Sequence, residues 1–189
     1  MSEMSWEDKV KSGRDKVVWV QERMPVLGIL KEKVAKNGLL KGERVVITIH
    51  LEAKSAAMAL AFQEAGAEVH ITGSNPLSTQ DDVAAYLVSK GVKVYAHYGC
   101  TEDEYNEYIL RAISCYPTVI VDDGGDLISA LTANSEFAKC LKGGAEETTT
   151  GIHRLKYMME SGSLLCPMVA VNDAESKCLF DNRFGLLQF

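Results

Sequence analysis

Apolar positions along this chain follow two different spacings, and the change between them divides it. Across residues 6–35, apolar side chains recur at intervals of three and four, as in an α-helix with one buried face. Pro25 predicts a break or a new first turn within that stretch. After Lys41-Gly42, short β-branched runs alternate with helical stretches. We therefore expect an N-terminal helical arm over residues 1–41 and a second domain over residues 42–189.

The second domain reads as repeated strand-then-helix units. The predicted strands are Arg44–His50, Glu68–Thr72, Val92–Ala96, Thr118–Val121 and Met168–Val171. The predicted helices are Ala53–Ala65, Ser78–Lys90, Glu102–Ser114, Leu127–Ala133, Glu136–Leu141 and Ile152–Glu160. Alternating units with nearly continuous apolar strands indicate a parallel sheet covered by helices on both faces. The sequence thus predicts a Rossmann-like α/β fold with a mainly parallel sheet.

Composition narrows the classes of partner. The net charge of -6 is offset by no Lys/Arg cluster, which argues against nucleic acid and against an anionic membrane surface. No apolar run approaches the roughly 20 residues that span a bilayer. The polar, acidic N-terminus does not read as a signal peptide, so we expect a cytoplasmic protein. The five cysteines are odd in number and lack C-x-x-C spacing, so neither a disulfide framework nor a metal site is expected.

Polar segments stand at the ends of the predicted strands, where an α/β sheet places its ligand crevice. They are Ile49–Ser55, Gly73–Asp82, Asp122–Asp126, Glu146–Gly151 and Val171–Asn182. Ordinary structural roles explain part of them. Ser78 or Thr79 fits a helix N-cap, Asp126 fits another, and Lys177 with Asp181 fits a helical ion pair. Those roles leave most of the carboxylates and hydroxyls without an explanation.

Together these segments closely resemble the substrate-binding half of S-adenosylhomocysteine hydrolases, in the form carried by archaea and some bacteria. The family pattern V-N-D-x-x-x-K-x-x-F-D-N matches at every fixed position from Val171 to Asn182. The pattern N-x-x-S-T-Q-D matches from Asn75 to Asp81. The resemblance runs from about Met24 to Gly185. It implies a purine nucleoside or homocysteine thioether as ligand, NAD as cofactor, and reversible hydrolysis of the thioether after NAD oxidises the ribose.

The resemblance also implies roles for individual residues. Catalytic and ribose-binding roles fall on His50, Asp123, Glu147, Lys177 and Asp181. Further substrate contacts fall on Glu52, Lys54, Ser55, Asn75, Ser78, Thr79 and Gln80. Contacts to NAD fall on Thr148, Thr149, Thr150 and Asn182.

Lys54 suggests a preference between purines. The eukaryotic members of the family carry Glu or Gln at this position, near the base. An ammonium has only donors, which suit the O6 acceptor of hypoxanthine better than the amino group of adenine. We therefore expect Lys54 to favour S-inosylhomocysteine or to allow both purines. The alternative is that Lys54 pairs with Glu52 and never touches the base.

The resemblance does not extend to an NAD domain. The family continues past the motif ending at Asn182 into a domain with a G-x-G-x-x-G loop, and these 189 residues contain no such pattern. We therefore expect the chain to be inactive unaided. It would be an excised domain, a split subunit whose NAD half is another chain, or a remnant that binds a nucleoside thioether without catalysis. Self-association into a homo-oligomer is also expected, because without the NAD domain of the family the surface that this domain would cover is exposed.

Overall fold

The fold is described from a computed structural model of residues 4–185, in which the side chains of Asp181 and Phe184 are not described. Its strands are β1 (Arg44–Ile49), β2 (Glu68–Gly73), β3 (Lys93–Tyr95), β4 (Val119–Asp122), β5 (Gly143–Glu146) and β6 (Met168–Ala170). Its α-helices are α1 (Trp6–Gln21), α2 (Pro25–Asn37), α3 (Ala53–Glu64), α4 (Asp81–Ser89), α5 (Glu102–Ile113), α6 (Asp126–Ala133) and α7 (Thr149–Glu160). Short 3₁₀ turns span Pro76–Ser78, Ser135–Cys140 and Val171–Asp173, and a π-helix spans Lys177–Gly185.

The six strands form one parallel sheet in the order β3-β2-β1-β4-β5-β6. The chain builds one half of the sheet outward from β1 and then returns to build the other half from β4. The point between β1 and β4 is the topological switch point, where α/β sheets open a crevice for ligands. The predicted Rossmann-like α/β fold is confirmed.

Helices cover both faces, as β1 shows by its alternation. Val45 and Ile47 face a core formed with α1, α3 and α4, while Val46 faces a second core formed with α5, α6 and α7. All three side chains are buried, because successive residues of a strand point to opposite faces and both faces are covered. The prediction of helices on both faces is therefore confirmed.

The N-terminal helices break where the sequence predicts. Pro25 is the first residue of α2, where its missing N–H costs nothing. Helix α1 packs closely on α4, with Gly13 against the backbone of Asp82 and Val17 fully buried. The first helix therefore contributes to the core of the sheet domain. The proposed boundary at residue 41 stays a prediction.

Strand β5 is the element that the sequence analysis misses. Its sequence, Gly-Gly-Ala-Glu, contains no β-branched residue, so its composition gives no strand signal. Packing explains the glycines: a Cβ on Gly144 would collide with Ile120 of β4 and with the Met168 sulfur of β6. The crowding between neighbouring strands thus selects glycine against intrinsic propensity.

Two predicted helix caps are wrong, and one predicted helix is of the 3₁₀ type. Helix α4 follows Gln80, so neither Ser78 nor Thr79 is its N-cap, because the chain first makes the 3₁₀ turn at Pro76–Ser78. Helix α6 follows Gly125, and Asp126 is its first helical residue. The predicted helix Glu136–Leu141 is a 3₁₀ turn over Ser135–Cys140.

Candidate active site at the carboxyl edge of the sheet

His50 and Asp123 face each other across the switch point. His50 follows β1 and Asp123 follows β4, and these strands are neighbours. The His50 Nε2 atom lies 3.9 Å from Asp123 Oδ2, and Nδ1 makes a 2.6 Å hydrogen bond with the Ser78 hydroxyl. The imidazole is 55% exposed, so its orientation is set by two partners while one side stays open. The pair can therefore contact a ligand from both sides of the crevice.

Asp122 points into the protein, unlike its neighbour Asp123. Its carboxylate is fully buried and accepts the backbone N–H groups of Asp123, Leu127 and Ile128 at 3.0, 3.1 and 2.9 Å. Asp122 therefore accepts two of the free N–H groups at the N-terminus of α6, as a capping side chain would, although it lies four residues before the first residue of the helix. Burial raises the pKa of Asp122 to about 7, and the nearby Glu146 carboxylate adds to that rise.

Asp126, the third carboxylate of this loop, has its own partners. The Tyr105 hydroxyl donates to Asp126 Oδ2 at 2.7 Å, and the Arg154 guanidinium lies 3.1 Å from Oδ1. Burial raises the pKa of Tyr105, so this phenol remains a donor at neutral pH. Asp123 thus faces a histidine, Asp122 backbone amides and Asp126 an arginine, which relieves the repulsion expected from their sequence.

Glu146, at the end of β5, is buried beneath the first turn of α7. Its Oε1 atom accepts three hydrogen bonds: from the Gly124 N–H at 2.9 Å, the Thr148 N–H at 2.8 Å and the Thr148 hydroxyl at 2.8 Å. Its Oε2 atom has no hydrogen-bond partner among the described residues. Gly151 makes room for this carboxylate, since a Cβ there would overlap it.

Lys177 sits among the groups that end the other half of the sheet. Its ammonium donates to Asn182 Oδ1 at 2.8 Å and lies 3.9 Å from Glu147 Oε1. The Asn182 amide in turn donates to the buried Asn172 at 3.0 Å. In this π-helical turn, residues five apart share a face, so Lys177 meets Asn182. The predicted partner Asp181 has a side chain outside the described part.

The first turn of α3 carries Glu52, Lys54 and Ser55. Glu52 and Ser55 form a capping box, and the buried Ser55 hydroxyl also donates to the His50 carbonyl at 2.7 Å. Ser55 thus holds the backbone that carries the imidazole. Lys54 lies 3.8 Å from Glu52 and is 68% exposed, a long and solvated ion pair.

Four residues of the segment after β2 were expected to meet substrate, and only Ser78 contacts His50. The Asn75 side chain caps the 3₁₀ turn through the Leu77 N–H at 2.8 Å, and the buried Thr79 hydroxyl bonds to the Asn75 carbonyl. The Gln80 side chain accepts from Lys16 of α1 at 3.0 Å. The hydrogen bonds of Asn75, Thr79 and Gln80 thus go to the protein itself.

Comparison with known proteins identifies the family of this chain. The model of the S-adenosyl-L-homocysteine hydrolase family matches residues 5–138 and 132–184 of the chain. This chain belongs to that family. An S-inosyl-L-homocysteine hydrolase of Methanopyrus kandleri is 49% identical over 92% of the chain, and one of Methanosarcina mazei is 46% identical over 96%. An adenosylhomocysteinase of Thermotoga maritima is 47% identical over 93%.

The chain spans less than half the length of these relatives, 41% of the first, 45% of the second and 44% of the third. The family resemblance inferred from the motifs is therefore confirmed, over a part of the length of these relatives. The relatives carry both purine names at nearly equal identity, so similarity alone does not choose between adenine and hypoxanthine.

The threonine run of this family member divides at the start of α7. Thr148 is the N-cap: its hydroxyl accepts the Gly151 N–H at 3.1 Å and the Gly124 N–H at 3.0 Å. Thr149 and Thr150, the first two helical residues, are exposed. One threonine therefore serves the fold, and two present hydroxyls to the outside.

Two buried carboxylates of this site, Asp122 and Glu146, were not singled out by sequence reasoning. Each directly precedes a carboxylate that was, in the pairs Asp122-Asp123 and Glu146-Glu147. Successive residues at a strand end point in opposite directions, so a doubled carboxylate there places one inward. That doubling is the signal that would have found them.

No group of three His, Cys, Asp or Glu side chains in residues 4–185 is arranged to hold a metal ion. Within the same range, no helix combines the length and the apolar character needed to cross a bilayer.

Proposed function

We propose that this chain is the substrate-binding half of an enzyme that hydrolyses S-adenosyl- or S-inosylhomocysteine to nucleoside and homocysteine. One observation carries the proposal: ionisable groups from adjacent strand ends meet in two pairs at the carboxyl edge. His50 and Asp123 lie 3.9 Å apart after β1 and β4, and Glu147 and Lys177 lie 3.9 Å apart after β5 and β6. The first pair lies at the switch point between β1 and β4, and the second lies beside it along the same edge of the sheet.

These groups suit a ribose. Carboxylates of Asp123 and Glu147 accept hydrogen bonds from sugar hydroxyls, and the Lys177 ammonium donates to a hydroxyl oxygen. The Nδ1 atom of His50 is held by the Ser78 hydroxyl, so Nε2 is the atom that would take or give a proton. Lys177 and the carboxylates are then the acids and bases for removing and restoring hydroxyl and carbon-bound protons. Asp181 joins them in this proposal.

NAD would be held only in part by these residues. The hydroxyls of Thr149 and Thr150 are exposed at the positive end of α7, which fits a contact with one end of a dinucleotide. The 189 residues contain no G-x-G-x-x-G loop, so most NAD contacts would come from elsewhere on the same protein or from a partner chain. When bound, NAD supplies hydride transfer at the ribose. A homo-oligomeric state belongs to this proposal as well.

Calorimetric titration tests the proposal, with S-adenosylhomocysteine, S-inosylhomocysteine, adenosine and inosine, each with and without NAD. We expect nucleoside binding by the wild-type chain and a loss of about tenfold or more in Asp123→Asn, because a charge-assisted hydrogen bond is removed. Asp103→Asn, on the exposed first turn of α5, is the matched control and should bind as the wild type does.

The possible results separate the readings. Absence of binding for all four ligands, with and without NAD, would contradict the proposal. Full binding together with no turnover after an NAD-binding half is supplied would instead favour the second reading, a binding module for nucleoside thioethers without catalysis.

Lys54 provides a separate prediction on purine preference. If its ammonium donates to O6 of hypoxanthine, Lys54→Gln should lower the ratio of inosyl to adenosyl affinity by about tenfold, since an amide can also accept from the adenine amino group. The long Glu52 contact leaves the ammonium able to reach a ligand. Lys36→Gln, on the exposed side of α2, controls for the change in net charge. A ratio that stays the same in Lys54→Gln, or a strong adenosyl preference in the wild type, would refute this role.

A further inference from the structure

Glu146 connects two loops that the proposed site needs in a fixed relation. The loop after β4 carries Asp123 and the loop after β5 carries Glu147. Glu146 lies inside, with a fully buried side chain. A single oxygen, Oε1, accepts the Gly124 N–H of the first loop and both donors of Thr148 in the second, each within 2.9 Å.

The three donors are the backbone N–H groups of Gly124 and Thr148 and the Thr148 hydroxyl. The Thr148 hydroxyl oxygen is a second acceptor for the Gly124 N–H, and it also accepts the Gly151 N–H. A third link, from the Glu147 N–H to the Asp122 carbonyl at 3.1 Å, joins the two loops through the backbone. The loops are therefore held by a compact network centred on one carboxylate oxygen, and hydrogen bonds to an ionised acceptor are about twice as strong as neutral ones.

The surroundings of Glu146 suit a carboxyl group better than an amide. The first turn of α7 lies directly above it, where the helix presents its positive end. Gly151 leaves the carboxylate room that a larger residue would remove. A glutamine here would keep an accepting oxygen at the Oε1 position, but a neutral one, and would place its amino group at the Oε2 position, where the carboxyl group has no hydrogen-bond partner among the described residues.

We propose that Glu146 is a positioning residue of this site, which holds the Asp123 loop and the Glu147-Thr148 loop at the separation that the ligand requires. The inference rests on the proposed function for the identity of the ligand. The linkage between the loops is independent of it. Glu146 acts through Asp123 and Glu147, and it touches no ligand itself.

The first arm of the test needs no ligand. In Glu146→Gln, the amide protons of Gly124 and Thr148 should both move upfield in a ¹H–¹⁵N correlation spectrum, because their acceptor loses its charge. Glu160→Gln, at the exposed end of α7, is the matched control and should leave both resonances in place. Unchanged Gly124 and Thr148 resonances in Glu146→Gln would overturn the linkage.

The second arm measures nucleoside affinity by calorimetry in a double-mutant cycle. We expect Glu146→Gln to weaken adenosine or inosine binding about tenfold. In that background, Asp123→Asn should cost less than it does in the wild type, because the Asp123 carboxylate is already displaced. A general loss of stability would leave the two effects additive, so additive effects or an unchanged dissociation constant would overturn the positioning role.

The experiment distinguishes a failure of the proposed function from a failure of the positioning role of Glu146. If the wild-type chain binds no nucleoside, the proposed function fails, while the amide resonances still decide whether Glu146 links the loops. If Glu146→Gln does not fold, Glu146→Asp takes its place: it keeps a carboxylate and Thr148, but the side chain is one methylene shorter and draws the accepting oxygen away from the Gly124 N–H. The Gly124 resonance should then shift and nucleoside affinity should fall in the same direction; no change in either would overturn the proposal.

Discussion

In an Asp122→Asn variant, we expect the free energy of unfolding to lose the part of its pH dependence between about 5 and 7 that comes from Asp122. Burial raises the pKa of Asp122 from 3.8 to about 7 in the folded chain. Below the lower value the group is protonated in both states. Between the two values only the folded state keeps the proton, so stability is present at low pH and is lost as the pH rises toward 7.

The size of this effect makes it measurable. The whole shift, from 3.8 to about 7, corresponds to roughly 4 kcal/mol, of which about 2 kcal/mol falls between pH 5 and 7, with a slope of at most about 1.4 kcal/mol per pH unit. The titratable groups that interact with Asp122 are Glu146 of β5 and Tyr105 of α5. Asparagine cannot ionise, so the slope that belongs to Asp122 should disappear.

Urea unfolding followed by circular dichroism at pH 5, 6, 7 and 8 checks this prediction. Asparagine also places an amide donor opposite a backbone N–H, either that of Ile128 or those of Asp123 and Leu127, which lowers stability equally at every pH and leaves the slope interpretable. The exposed substitution Asp103→Asn should retain the wild-type slope. Parallel pH curves for Asp122→Asn and the wild type would contradict the assignment.

Gly151→Ala should be the most destabilising single methyl group in the described chain near this site, with a loss of about 3 kcal/mol. The new Cβ would overlap the buried carboxyl group of Glu146, which three donors hold in place. Either the carboxylate leaves its donors or the first turn of α7 moves away from the sheet, and both break the network between the two loops.

Gly28→Ala is the matched control for this prediction. Gly28 is also helical, on α2, and a Cβ there meets no atom within 4 Å. Alanine should therefore raise stability by about 0.5–1 kcal/mol through its better helix propensity. The two midpoints of urea unfolding, with unchanged slopes, give the comparison. A Gly151→Ala protein as stable as Gly28→Ala would show that the carboxylate is not confined by α7.

Much of the fold follows from patterns visible in the chain. The alternation of β-branched runs with helical stretches predicts a parallel sheet, and Pro25 marks the start of α2. Strand β5 could not be found this way, because crowding against Ile120 and Met168 selects glycine where propensity would select valine. The start of α6 was misplaced because its N–H groups bond to Asp122, a carboxylate outside the first turn.

The sequence predicts where the site lies on the sheet better than it predicts the contacts of each site residue. Strand ends and motifs indicate that His50, Asp123, Glu147 and Lys177 gather at one edge, and the structure brings them together in two pairs. Motifs do not show which side chains form their hydrogen bonds within the protein rather than with a ligand. The Gln80 amide bonds to Lys16, 64 residues away, and no local pattern encodes such a contact.

The crossing from β1 to β4 has a consequence for how the chain folds. Arg44 and Thr118, bonded at the foot of these two strands, are 74 residues apart in sequence. Closing so long a loop costs entropy before any contact compensates for it, so this pairing is expected late in folding, after the local units β1-α3-β2 and α6-β5. His50 and Asp123 meet only when it forms. A nucleoside that contacts both residues would therefore bind only the folded chain, and its binding would shift the folding equilibrium toward the folded state.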